Sequence, residues 1–236
     1  MNIIVTGASR GIGYELVKLL SADPNNTIIA ISRNSQKLEQ LKKDCTSLNI
    51  SSKVIPIACD LSDKSAIDNL HSEITKHIKT VTVLINNAGA IVNKPFAEIT
   101  SEDLEYIYNV NVFSVVRLIQ KILPIIDTDQ RSHIVNISSI GGFQGSLKFA
   151  GLSAYSSSKA ALACLTECLA EEFKEKNIAF NCLALGATQT EMLNEAFPGY
   201  KAPLTAAQMA AFIAHFSLTA HQYMNGKIIP VSLSNP

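Results

Sequence analysis

The sequence predicts an α/β fold: one doubly wound domain over residues 1–236, with a mostly parallel seven-stranded sheet covered by helices on both faces. Three observations carry this expectation. Short, nearly all-apolar runs recur along the chain, as strands buried on both faces require. Longer amphipathic stretches separate them, and such alternation implies parallel pairing through right-handed crossovers. No internal repeat, low-complexity tract or linker rich in Pro, Gly or charge interrupts the pattern.

The strand-like runs are residues 3–5, 27–31, 54–58, 81–85, 134–137, 178–183 and 228–231, dominated by Ile, Val and other small apolar residues. Helical spacing of apolar residues covers 12–20, 36–48, 64–78, 102–126, 155–176 and 206–216. Two stretches break the rhythm. Residues 140–153 carry four glycines, and Pro198, Gly199 and Pro203 form a second interruption. Both read as loops at the mouth of one domain, since surface connections tolerate such residues and carry function.

Composition narrows the classes of function. A chain of 236 residues can bury a substantial core, and 47% hydrophobic with 17% charged residues is a globular balance. Twenty basic residues offset twenty acidic ones, so no global field recruits nucleic acid or an anionic membrane. No stretch approaches the roughly 20 apolar residues that span a bilayer, and the apolar run after Met1 is too short for a signal peptide. A cytoplasmic protein is expected. Cys45, Cys59, Cys164, Cys168 and Cys182 are odd in number and form no Cys-x-x-Cys pair. They read as small buried hydrophobes in a reducing compartment, with no metal site.

Thr6 to Gly13 follows the first strand directly and opens the first helix, with glycines at 7, 11 and 13. Glycine there permits a tight turn and brings the helix N-terminus, with its free N–H groups, to a pyrophosphate. The spacing is not Gly-x-Gly-x-x-Gly, and a glycine trio alone could be an ordinary turn, but the strand–turn–helix context favours a nucleotide-binding loop. At the end of the second strand a carboxylate would accept hydrogen bonds from an adenosine 2′-hydroxyl. Ser32 and Arg33 stand there instead, with Arg10 in the glycine loop. Two guanidiniums converging on one edge suit a phosphate dianion, so NADP(H) is expected in preference to NAD(H). Asp60, after the third strand, could accept from the adenine amino group or cap a helix starting near Ser62.

Tyr155 and Lys159 lie four residues apart, on one face of a helix. A cation beside a phenol favours the phenolate and lowers its pKa, which fits the phenol for proton exchange near neutral pH. Ser139 adds a second hydroxyl at a strand end. No Gly-x-Ser-x-Gly elbow surrounds it, which argues against an acyl-enzyme nucleophile.

With the glycine loop, Asn86-Asn87-Ala88-Gly89, Asn111, Ile137-Ser138-Ser139 and Tyr155-x-x-x-Lys159 in this order, the sequence resembles the short-chain dehydrogenase/reductases over essentially its whole length. The resemblance implies hydride transfer between the nicotinamide and a carbonyl or alcohol. Tyr155 would protonate the carbonyl oxygen and Ser139 would hydrogen-bond it. Lys159 would lower the pKa of Tyr155 and bind the nicotinamide ribose, and Asn111 would hold a relay water. Cofactor contacts would come from Gly7, Ser9, Arg10, Gly11, Ile12 and Gly13 in the glycine loop, and from Arg33 and Asn34. Asp60, Leu61, Asn87, Ala88 and Gly89 would surround the adenosine, with Tyr155, Lys159, Gly186, Thr188 and Thr190 around the nicotinamide. No metal is implied.

Three features depart from the family pattern. Leu185 stands where a proline usually precedes Gly186, so the turn loses a fixed φ. Sixteen positions separate Ser139 from Tyr155, a slightly long interval whose insert includes Lys148 and Phe149. The double glycine after the last strand is missing. The substrate loop, about residues 186–205, carries Met192, Leu193, Ala196, Phe197 and Tyr200, a modest apolar cover suited to a small or medium carbonyl compound. The resemblance also implies a homodimer or homotetramer through helices 102–126 and 155–176. An NADP(H)-sensing or signalling protein on the same fold is the alternative, although a pure sensor has no need of Ser139, Tyr155 and Lys159 together.

Overall fold

The computed structural model of the protein describes residues 1–49 and 51–233. Strand and helix alternate through β1 (Asn2–Thr6), α1 (Gly11–Leu20), β2 (Thr27–Ser32), α2 (Ser35–Leu48), β3 (Lys53–Ala58), α3 (Lys64–Thr75) and β4 (Val83–Asn86). The chain continues through α4 (Ser101–Tyr108), α5 (Ser114–Ile122), β5 (Ser132–Ser139), α6 (Ser153–Glu172) and β6 (Ile178–Leu185). A short excursion of β7 (Thr188–Gln189), α7 (Glu191–Ala196) and β8 (Leu204–Thr205) precedes α8 (Ala206–Thr219) and β9 (Lys227–Val231).

Seven strands form one sheet in the order β3-β2-β1-β4-β5-β6-β9. Every pairing in it is parallel, where the sequence predicted a mostly parallel sheet. Successive residues of β1 serve opposite faces. Ile3 and Val5 pack with Leu16, Leu38 and Ile213 of α1, α2 and α8, while Ile4 packs with Ile67, Ile119 and Leu162 of α3, α5 and α6. The period-2 side-chain alternation of a strand therefore divides the core into two layers. After β3 the winding returns to the far side of β1, so β1 and β4 diverge at their carboxyl ends and leave a crevice.

Several predicted boundaries shift for identifiable reasons. The single helix expected over 102–126 is two helices joined by a π turn, Asn109–Phe113, in which the N–H of Ser114 bonds the Asn109 carbonyl. Asp60 does not cap the third helix. Its Oδ1 accepts from the N–H and hydroxyl of Ser62 at 2.9 and 2.7 Å, while Asp63 caps α3 through the N–H of Ser65. Cys45, Cys59 and Cys182 are buried as expected, but Cys164 and Cys168 are exposed on the outer face of α6. Among the described residues no helix is long and apolar enough to cross a membrane.

His133 joins the sheet to α8. Burial pushes its pKa down to about 3, so the ring is neutral near pH 7. Its Nδ1 bonds the Ser217 carbonyl at 2.9 Å and its Nε2 meets Asn181 Nδ2 at 2.9 Å. The neutral ring thus donates to α8 and accepts from β6. The folded pKa lies below the unfolded value, so the unfolded chain takes up the proton first. This contribution is complete above about pH 6.5 and is lost as pH falls towards 3. Thermal melts should show stability declining from pH 7 to pH 4. His133→Leu should melt lower at pH 7 yet lose less over that interval, and equal pH slopes would contradict the assignment.

Candidate active site

The crevice at the reversal of winding is a cavity of about 640 Å³, walled by the carboxyl ends of β1 to β6 and by α7. Gly7 turns the chain at φ 69°, a left-handed conformation that glycine enters without a Cβ clash. Gly13 serves close approach instead. A Cβ there would lie 2.3 Å from the Gly7 carbonyl and 2.6 Å from Asn87 Nδ2. α1 can therefore begin against the end of β1, with Ser9, Arg10, Gly11 and Ile12 on the cavity wall. The first N–H groups of a helix have no intrahelical acceptor, and an anion suits them.

The loop is tied to both neighbouring strands. Asn87 Nδ2 donates to the Thr6 carbonyl at 3.0 Å, and Thr6 Oγ1 accepts the N–H of Ala88 at 3.0 Å. The Ser32 hydroxyl bonds that of Ser9 at 2.7 Å. Arg33, Asp60, Leu61, Asn87, Ala88 and Gly89 complete this half of the lining. Arg10 and Arg33 both line the cavity, but Arg10 already has anionic partners. Its Nη1 lies 3.0 Å from Glu191 Oε2 and 2.7 Å from Glu195 Oε1, both on α7. Lys37 stands 3.9 Å from the same Glu191 oxygen.

On the other side, Ser139 ends β5, and Tyr155 and Lys159 occupy successive turns at the start of α6. The Ser139 hydroxyl lies close enough to the Tyr155 phenol to favour its charged form. Lys159 Nζ donates to the Ile137 carbonyl at 2.9 Å and lies 5.9 Å from the Tyr155 ring centroid. Ser138 fixes the helix from below, its hydroxyl donating to the Lys159 carbonyl at 2.8 Å. The electrostatics correct one expectation. Tyr155 is raised above the usual phenol value, because burial outweighs the opposing effect of Ser139. Burial also lowers Lys159 to about 8, and among the described residues no carboxylate compensates its charge.

Asn111 lies in the π turn, fully buried behind the cavity. Its Nδ2 donates to the Ala90 carbonyl at 3.0 Å and to Ser158 Oγ at 2.9 Å, while its Oδ1 accepts the Ala90 N–H at 2.8 Å. The amide thus joins the segment after β4 to α6, and its two N–H donors are taken up within the protein. Asn34 is also absent from the lining, because its side chain caps α2 by accepting the Lys37 N–H at 2.9 Å. Gly13 supports the wall from inside α1. Every other residue expected at the site lines the cavity, including Gly186, Thr188 and Thr190.

Leu185 is the last rung of β6, paired with Ser139 and Val231. The Gly186 N–H extends this ladder to the Val231 carbonyl at 2.9 Å, so the turn without proline is held by the sheet. The substrate loop is framed by the β7–β8 pair and tied down where Asn93 Nδ2 donates to the Ala196 carbonyl at 2.9 Å. Sequence reasoning missed Ser158, Ile91, Tyr106 and the Glu191–Glu195 pair. No local pattern signals a carboxylate that meets an arginine 181 positions away.

The short chain dehydrogenase family model matches residues 1–201. A fatty acyl-CoA reductase of Acinetobacter baylyi is 32% identical over 80% of this chain, which spans 63% of that protein's length. The L-2,3-butanediol dehydrogenase of Corynebacterium glutamicum is 36% identical over 80% of this chain and 72% of its own. A short chain dehydrogenase from Burkholderia cenocepacia, solved in complex with NADP, superposes with a TM-score of 0.86 at 24% identity, covering 98% of this chain and 95% of that one. Glycine loop, hydroxyl pair and buried lysine thus sit in a chain that belongs to the short-chain dehydrogenase/reductase family of oxidoreductases.

Proposed function

We propose that the protein is an NADP(H)-dependent oxidoreductase that interconverts a small or medium carbonyl compound and its alcohol, with Tyr155 as general acid and base. One observation carries this reading: the Ser139 and Tyr155 hydroxyls and the buried Lys159 ammonium share one cavity with a glycine loop at the switch point of the sheet. The residues fit a dinucleotide. Only glycine fits at position 13, and an uncompensated cation at Lys159 suits a partner rich in oxygen.

The nicotinamide, when bound, supplies or accepts the hydride. Ser9 to Ile12 would hold the pyrophosphate, Asp60 to Leu61 and Asn87 to Gly89 the adenosine, and Lys159 the nicotinamide ribose. Reduction leaves negative charge on the substrate oxygen. The Tyr155 phenol gives that oxygen its proton, and Ser139 donates a hydrogen bond to it. A phenol held above its ordinary pKa stays protonated until this moment, and the nearby Lys159 charge stabilises the phenolate that results. Asn111 is a positioning residue, holding Ala90 and Ser158 around the pair. Ser32 in place of a carboxylate, with Arg33 and Arg10, favours the 2′-phosphate of NADP(H) over NAD(H).

Tyr155→Phe should lower kcat by at least about 10²-fold in an assay with NADPH and a carbonyl panel, while NADPH still binds. Full activity of that variant would sink the mechanism. Lys159 generates a stability prediction with the opposite sign. Its folded pKa of about 8 lies below the unfolded 10.5. The charge penalty is therefore complete below pH 8 and fades as pH rises towards 10.5, and it is on the order of 3 kcal/mol. Cofactor-free Lys159→Met should melt several degrees above the parent at pH 7, with the gap closing towards pH 10, and should be inactive. A lower melting temperature at pH 7 would show that the Ile137 bond outweighs the charge. Finally, Glu191 and Glu195 compete with a phosphate for Arg10. The Glu191→Gln/Glu195→Gln variant should bind NADPH several-fold more tightly with little change for NADH, read by fluorescence titration. Equal changes for both cofactors would count against the phosphate role of Arg10.

A further inference from the structure

Beyond Ser139 and Tyr155 the cavity wall changes character. The charged residues on it are Arg10, Arg33, Asp60, Lys159 and Glu191. Arg10 and Glu191 are bonded to each other, Arg33 and Asp60 follow β2 and β3, and Lys159 backs Tyr155. All five therefore belong to the half assigned to the cofactor or to the proton-transfer pair. The lining also includes Ile91, Tyr106, Leu147, Phe149, Met192 and Phe197, with further aliphatic neighbours.

This apolar surface does not stop at the cavity mouth. Leu147 is 62% exposed, Phe149 51% and Tyr200 49%, although all three line the same cavity. They come from two segments separated in sequence, the insert between Ser139 and Tyr155 and the chain after α7. Residues 93 and 94 hold both segments. The Lys94 N–H donates to the Gly151 carbonyl at 3.0 Å, and Asn93 Nδ2 to the Ala196 carbonyl at 2.9 Å. Lys148, between Leu147 and Phe149, is folded back: its Nζ bonds the Phe143 carbonyl and Ser146 Oγ, each at 2.6 Å. The rim thus presents three exposed apolar side chains from two segments tied together through residues 93 and 94, and contiguous exposed apolar surface marks a contact site.

Resting on the oxidoreductase reading, we propose that the substrate is a ketone, or its secondary alcohol, carrying an apolar chain. The chain runs from Tyr155 through the cavity and out over Leu147, Phe149 and Tyr200. A polyhydroxylated ketone would find only the Tyr106 and Tyr200 phenols for its several hydroxyls along this wall, and an unpaired buried polar group is costly. A 2-oxo acid would bring a carboxylate to a wall with no cation. An alkyl chain loses nothing there, and each methylene fully withdrawn from water is worth about fourfold in affinity.

The test uses the full chain with NADPH and methyl ketones from 2-butanone to 2-nonanone, beside fructose and 2-oxobutanoate. The specificity constant kcat/KM should climb roughly two- to fourfold per methylene until the chain passes the rim. Fructose and 2-oxobutanoate should fall at least about 100-fold below 2-hexanone. Leu147→Ser/Phe149→Ser should cost 2-nonanone more than 2-butanone, so that the slope flattens. A flat series in the parent, an equal loss for both ketones in the variant, or turnover of fructose or the oxo acid at the rate of 2-hexanone would each overturn the proposal. No turnover of any compound, with NADPH bound, would overturn the oxidoreductase reading instead. The chain proposal is then decided by the melting temperature of the NADPH-loaded protein: a rise with 2-octanol and none with xylitol supports it, and any other pattern refutes it.

Discussion

The contact on which the site depends is the one between the turn after β1 and the end of β4. There α1 starts so close to the strand that a single methyl group at position 13 would strike both the Gly7 carbonyl and the Asn87 amide. Thr6, Asn87 and Ala88 bind the two strand ends across this gap through side chains, beyond the last rung of the ladder. The consequence is geometric. Strands on either side of β1 and β4 are laid down in opposite directions, and the clamp holds open the crevice that this reversal creates. Ser139 and the first turns of α6 border the same crevice because β5 pairs with β4 in register up to Asn136.

A second constraint is electrostatic. Lys159 is buried with a carbonyl for a partner and no counter-charge among the described residues, and Tyr155 is buried beside it. Neither group suits its surroundings as they stand, and each is held by a packed helix: Ser138 bonds the Lys159 carbonyl and Ser158 bonds that of Tyr155. Such arrangements oppose folding and are found where chemistry needs groups whose pKa values are displaced from their ordinary ones. The sheet and its two apolar layers are what make that tension tolerable.

Much of this was legible because it is local. The glycine loop, Ser139 and the Tyr155–Lys159 pair announce themselves through spacing that one strand end or two helical turns dictate. What escaped the sequence depends on the third dimension. Cys164 and Cys168 share the composition of a buried stripe, yet α6 presents them outward because Leu162 and Thr166 take the face against the sheet. Asp60 and Asp63 are equally good caps by type, and only the backbone path selects Asp63. The break in 102–126 was hidden because Val110, Val112 and Val115 keep an apolar rhythm through it. The phenol of Tyr155 was expected to feel its lysine first, whereas burial dominates.

The π turn between α4 and α5 carries a consequence for how this chain can change length. A π turn is an α-helix with one residue too many, retained where the bulge places a needed group. Here it places Asn111 against Ala90 and Ser158. Deleting one residue would restore a regular helix and remove the bulge that carries Asn111 to Ala90 and Ser158. Insertions and deletions should therefore accumulate in the loops around 140–153 and 197–203. The segment from 101 to 122 is fixed in length as strictly as the glycine loop is fixed in composition.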